Sequence, residues 1–251
     1  MWTEARLLEV DSLAKNYDGL QAVADLSFAV PPGEILGLVG PNGAGKTTTL
    51  RCIAGILPPT AGSVRVCGHD LSTAPVEAKR RLAFISDEPR LFDYLTVTEH
   101  LQFVARIYQV AGAATRAEAL LAELELSDKR KSLPGELSRG MKQKLAIACG
   151  LLHDPKVILF DEPLTGLDPV GIRRMKDSIA RRARDGASII VSSHLLHLVE
   201  ELCHRILMIK SGRKVAHGTL AEIKAAAPDL EADASLEDVF LHVTAQEPPQ
   251  T

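Results

Sequence analysis

No uninterrupted apolar run in the 251 residues approaches the roughly 20 needed to cross a bilayer as a helix, so any membrane role would have to run through a partner. The opening MWTEARLLEVDS lacks the basic-then-apolar layout of a secretory leader. The four cysteines, Cys52, Cys67, Cys149 and Cys203, lie far apart without a C-x-x-C pair, which argues against a zinc site and a disulfide framework and points to a reducing, cytosolic setting. Excess positive charge is missing too: the formal net charge is −3, so wholesale nucleic-acid binding is not expected. The basic runs Lys79-Arg80-Arg81 and Arg181-Arg182-Ala183-Arg184 read as solvated helix faces. Neither an internal repeat nor a low-complexity segment is visible.

What is present is a chain 46% hydrophobic, able to bury a substantial core as one domain over residues 1–244, with the terminal AQEPPQT (245–251) read as a disordered tail. LLEVDSL and LQAVADLSFAV read as strands around a turn at Asp18-Gly19, and residues 34–39 as a compact apolar strand. A Gly-rich loop and a helix over 46–57, ended by Pro58-Pro59, come next. SVRVCG and LAFIS are further strands. From about 94 to 153 the pattern is helical, with Thr96-x-x-Glu99 and Thr115-x-x-Glu118 as capping-box signals. Alternation then resumes: strand KVILF, helix GIRRMKDSIARRAR, strand ASIIVSS, helix LLHLVEELCH, and a hairpin RILMIKSGRKVAHG turning near Ser211-Gly212. Doubly apolar strands alternating with helices predict a mostly parallel sheet covered on both faces, with the middle helices as an inserted subdomain.

GLVGPNGAGKTTTL contains G-x-x-x-x-G-K-T from Gly40 to Thr47, directly after a strand and opening a helix, the context a phosphate-binding loop requires. Asn42, Gly43, Ala44 and Gly45 can turn N–H groups onto phosphate oxygens, Lys46 can reach the β- and γ-phosphates, and Thr47 offers a hydroxyl to Mg²⁺. VILFDEP ends a buried strand in two acids. Ligands sit at the carboxyl ends of such strands, so Asp161 suits Mg²⁺ through a water and Glu162 is placed to polarise an attacking water. His194 ends another apolar strand, where an imidazole N–H can meet a γ-phosphate. The remaining histidines lack that placement. Tyr17 is either a stacking platform for adenine or a partly buried core residue.

The stretch ELSRGMKQKL looks like a second anion-holding helix start: Ser138 is a good N-cap, Gly140 leaves room at the backbone, and apolar residues come after them.

Together these segments resemble the ATP-binding subunit of an ABC transporter, from about residue 6 to 243, of the exporter-like type that works with a separate permease. The resemblance rests on residues 40–48 as the phosphate loop (with Thr48), LSRGMKQK as the signature motif, VILFDEP, GLDP at 166–169 and His194. It implies an α/β P-loop NTPase fold: a mostly parallel sheet core, an N-terminal antiparallel β subdomain and the helical subdomain near 94–153. It also implies an Mg²⁺-dependent ATPase that pairs head to tail with a second ATP-binding subunit, identical or paralogous. Ser138 and Gly140 would then serve the partner's nucleotide, Asp168 would contact the partner, Tyr17 would stack on adenine, and Glu162 would be the general base. The helical subdomain would receive a cytoplasmic helix of an integral membrane permease, placing the chain at the cytoplasmic side of the cell membrane. Two departures stand out. Arg139-Gly140-Met141 replaces the usual Gly-Gly-Gln, and FISDEPRLF puts Asp87, with Glu88 beside it, where a magnesium-facing glutamine is expected. These departures and the short tail SLEDVFLHVT resemble exporters more than importers; a soluble family ATPase acting on a ribosome or assembly scaffold is the other function such a chain could have.

Overall fold

The chain is described over residues 6–226 and 234–245 by a computed structural model; the expected tail lies outside those residues apart from Ala245. Strands β1 (Leu8–Tyr17) and β2 (Leu20–Val30) form a hairpin whose turn, Asp18 and Gly19, has positive φ at both positions, the turn that matches strand twist. Strand β3 (Ile35–Val39) is buried throughout and feeds residues 40–45 into helix α1 (Lys46–Ile53). That helix is shorter than expected. Gly55, at φ +63°, accommodates a left-handed stop in which the N–H groups of Ile56 and Leu57 return to the Arg51 carbonyl, so the helix closes before Pro58.

Strands β4 (Ala61–Val66) and β5 (His69–Asp70), helix α2 (Pro75–Lys79) and strand β6 (Leu82–Ile85) come next. Helices α3 (Val97–Tyr108), α4 (Ala113–Glu123) and α5 (Arg139–Leu151) form the middle of the chain. Thr96 caps α3 as its spacing predicts, with Glu99 closing the box. The box expected at Thr115 does not form. Gly112 in the left-handed region caps α4 three residues earlier, good helix formers Ala113 and Ala114 fill the first turn, and Glu118 pairs with Arg130 instead. The chain ends in β7 (Val157–Asp161), α6 (Pro169–Arg184), β8 (Ser188–Ser192), α7 (Leu196–Leu202), β9 (Arg205–Lys210), β10 (Arg213–Gly218), α8 (Leu220–Ala225) and α9 (Leu236–Ala245).

Two sheets result. An antiparallel one runs β2-β1-β4-β5, and a six-stranded one runs β10-β9-β3-β8-β7-β6, parallel except for the β9–β10 hairpin. The fold is the α/β P-loop NTPase arrangement the motifs predict. Along β7 the side chains alternate between two cores. Val157 and Leu159 join α1 and the antiparallel sheet, whereas Ile158 and Phe160 join α3, α5 and α6. Phe160 is fully buried, and truncating it to alanine would cost roughly 3–5 kcal/mol. Strands β3, β8, β7 and β6 are parallel neighbours in that order, so the segments leaving their carboxyl ends emerge along one edge.

Candidate functional site

Residues 40–45 leave β3 at that edge. The loop is pinned from two directions: Gly212 N–H donates to the Ala44 carbonyl at 3.0 Å, and Ala24 N–H donates to the Gly212 carbonyl at 2.8 Å. Gly45 has φ +101° and faces Ala22, whose carbonyl oxygen would lie 2.3 Å from an added Cβ, so only glycine fits. Lys46, only 9% exposed, turns its ammonium back into the loop, donating to the carbonyls of Gly40 (2.7 Å) and Pro41 (3.2 Å). Burial pulls its pKa below the ordinary lysine value, against the opposing charges of Glu162 and Asp161. Helix α1 begins at Lys46, so Thr47 and Thr48 lie in its first turn.

Two strand ends meet the start of α1 next to this loop. Thr47 Oγ1 donates to Asp161 Oδ1 at 3.2 Å, and Ser192 Oγ donates to the same oxygen at 2.7 Å. Ser192 also anchors the next residue: Glu162 N–H lies 3.2 Å from both its carbonyl and its hydroxyl oxygen. That clamp holds Glu162 at φ +50°, a left-handed conformation that costs a side-chain-bearing residue about 1–2 kcal/mol. His194 Nδ1 lies 2.8 Å from Glu162 Oε2, and its backbone N–H approaches the same oxygen at 3.4 Å. An acid, an imidazole and a carboxylate–hydroxyl pair therefore stand together beside a loop of backbone donors.

The other expected residues lie around this centre. Tyr17 ends β1 and is 40% exposed, which leaves part of its ring open to a ligand, and Lys15 Nζ stands 5.1 Å from the ring centre. Ser138 caps α5 by accepting from Met141 N–H at 3.3 Å, and Gly140 approaches the Gly166 carbonyl, 3.3 Å from where a Cβ would stand. Among the described residues neither one hydrogen-bonds residues 40–48. Asp168 caps α6, accepting from Gly171 N–H at 2.8 Å, a structural task its spacing did not announce. Asp87 comes after β6 and lines, with Thr47 and Asp161, a cleft of about 800 Å³ between the sheet edge and α3. Its carboxylate lies 3.8 Å from the Arg139 guanidinium.

Two functional groups went unread in the sequence. Ser192 sits in an apolar strand, and only its hydroxyl type, two residues before His194, hinted at a role. His100, which received no assignment, is buried: its Nε2 accepts from Phe92 N–H at 2.9 Å while Nδ1 meets the Thr96 carbonyl at 2.8 Å. It fixes the far wall of the cleft.

Known proteins resemble this chain in sequence and in fold. The family profile described as ABC transporter matches residues 23–165. The Nod factor export ATP-binding protein I of Burkholderia pseudomallei is 39% identical over 213 residues, 84% of this chain and 70% of the relative. The ABC-type transporter ATP-binding protein EcsA of Bacillus subtilis is 33% identical over 243 residues, 96% of this chain and 98% of the relative. A solved structure of the ATP binding subunit of an ABC transporter superimposes with a TM-score of 0.90 at 35% identity, covering 95% of this chain and 99% of that one. The chain belongs to the ABC transporter family, as one of its ATP-binding subunits.

Proposed function

We propose that this chain hydrolyses ATP and uses the cycle to drive a membrane permease, more in the sense of export than of import. The observation that carries the reading is the Glu162–His194 contact of 2.8 Å, beside a loop of backbone donors. Residues 40–48 receive the phosphates on their N–H groups, with Lys46 supplying the balancing charge. Glu162 accepts the proton of the attacking water, and His194 holds that carboxylate in line and offers its other ring nitrogen to the γ-phosphate. Tyr17 gives adenine a stacking face.

Thr47 and Asp161 fit a divalent cation: a hydroxyl and a carboxylate oxygen lie 3.2 Å apart on the floor of the cleft, with Asp87 facing the same space. Among the described residues no three His, Cys, Asp or Glu side chains form a metal site by themselves, which suits magnesium, an ion that retains waters and phosphate oxygens. Bound there, Mg²⁺ would neutralise charge on the β- and γ-phosphates. Asp161 is held for that duty by Ser192.

Among the described residues Ser138 and Gly140 make no hydrogen bond to their own loop, and they are offered to the nucleotide of a second ATP-binding subunit, with Asp168 near that contact. ATP bridges two such halves, and ADP, without its γ-phosphate, does not. Phe92, Phe103 and Tyr94, all substantially exposed, border or adjoin the cleft and offer an apolar seat for a permease helix at the cytoplasmic membrane face. No helix among the described residues is long and apolar enough to cross a membrane itself. Export is favoured by the name of the Burkholderia relative and by the two sequence departures at Arg139 and Asp87.

The test is to tag the chain in its own cells, solubilise membranes gently and identify what co-purifies. A stoichiometric multi-span membrane protein supports the reading. Recovery with ribosomal or scaffold proteins in the soluble fraction overturns it.

A further inference from the structure

One face of α5 runs alongside β6 and its exit. Gly150 packs so closely on Ile85 that an added Cβ would stand 3.0 Å from it. Gln143, 2% exposed, donates from Nε2 to the Ser86 carbonyl at 3.2 Å. Arg139, one turn before Gln143 on the same face, reaches Asp87 at 3.8 Å. Its aliphatic stem also lies over Gly166, where a Cβ would come 3.4 Å from Arg139 Nε. The first residue of α5 therefore touches both the segment after β6 and the segment between β7 and α6.

The uncharged contacts fix the backbone up to Ser86. The Asp87 carboxylate beyond it has two neighbours of opposite use: the guanidinium on α5, and the cleft floored by Thr47 and Asp161. The two residues that depart from the family pattern at these places are thus a charge pair within one chain. We infer that Arg139 is a positioning residue that acts through Asp87, holding its carboxylate at the α5 side of the cleft until a cation-bearing nucleotide draws it toward Thr47 and Asp161. The inference rests on the nucleotide reading of residues 40–48. Its consequence is a threshold. Binding of the cation loosens one tie between α5 and the rest of the site, so the helix that serves the partner's nucleotide registers the state of its own.

The pair is exposed, so its grip is small and sensitive to salt. Arg139→Gln should lower the Mg²⁺ concentration for half-maximal binding of a fluorescent ATP analogue by about two- to fivefold, the range an exposed ion pair supplies. Arg139→Lys should restore the wild-type midpoint in large part. In an Asp87→Asn background, Arg139→Gln should change nothing further. The assay reads binding on the full chain, without turnover. An unchanged midpoint in Arg139→Gln overturns the inference. So does a shift that persists in the Asp87→Asn background, which would mark a through-space charge effect instead. If the wild-type chain shows no Mg²⁺-dependent nucleotide signal, it is the nucleotide reading that fails.

Discussion

His194 Nδ1 meets Glu162 Oε2 at 2.8 Å across the ends of two adjacent parallel strands, and the pairing of Asp161 with Ser192 just before it sets that spacing. Acid and imidazole are thus ordered by the sheet and not by a mobile loop, and the chemistry can be tested one group at a time.

Glu162→Gln keeps the shape and the contact to His194 but cannot take a proton. Steady-state ATP hydrolysis should fall by about 10²- to 10⁴-fold with ATP binding intact. Light scattering should show this variant dimeric with ATP and monomeric with ADP; a monomer under both conditions would count against the clamp.

His194→Ala leaves Glu162 Oε2 without its ring partner. Turnover should drop while the ATP affinity of the phosphate loop changes little, a split that kcat and equilibrium binding measured side by side would show. A loss of affinity with kcat unchanged would place His194 in binding alone.

Ser192→Ala removes one hydroxyl that serves Asp161 and Glu162 together. The site is fully buried, so denaturant unfolding should show a loss of about 1–3 kcal/mol. Mg²⁺-dependent nucleotide binding should weaken in parallel. A stability loss with unaltered Mg²⁺ dependence would remove Ser192 from the site.

Glu123 bridges α4 to α6. Burial pushes its carboxyl pKa up, but hydrogen bonds from Arg182 and Ser178 and the charges of Arg182 and Arg181 prevail and hold it below the ordinary value. A lowered folded pKa means stability that is present above the unfolded glutamate range and is lost as pH falls through the folded value. Wild type should therefore exceed Glu123→Gln in stability at pH 7, with the gap closing below about pH 4.5. A gap that is constant with pH would refute the account.

The sheet core and the phosphate loop were legible because each lies in one contiguous stretch: residues 40–47 carry their chemistry in order, and strands such as VILFD are apolar almost throughout. Asp161, Glu162 and His194 were legible because polar groups at the ends of buried strands are conspicuous. The relationships that escaped were written across distance. Ser192 serves a carboxylate on another strand, and Arg139 pairs with a residue from a different part of the chain. Local rules also lost to neighbours. Thr115-x-x-Glu118 has the capping spacing, but Gly112 nucleates the helix sooner, and Gly55 stops α1 before the prolines can.

The hydrogen bonds from Gly212 to Ala44 and from Ala24 to Gly212 stitch three pieces of chain at one seam: the antiparallel sheet, the loop after β3 and the β9–β10 turn. A seam of this kind fixes where compliance can reside. The donor-lined cradle is fastened to two separate sheets, so any displacement on loading is expected in α3–α5, joined to the strands chiefly through α5. The molecule has the mechanics of an anvil with a single lever.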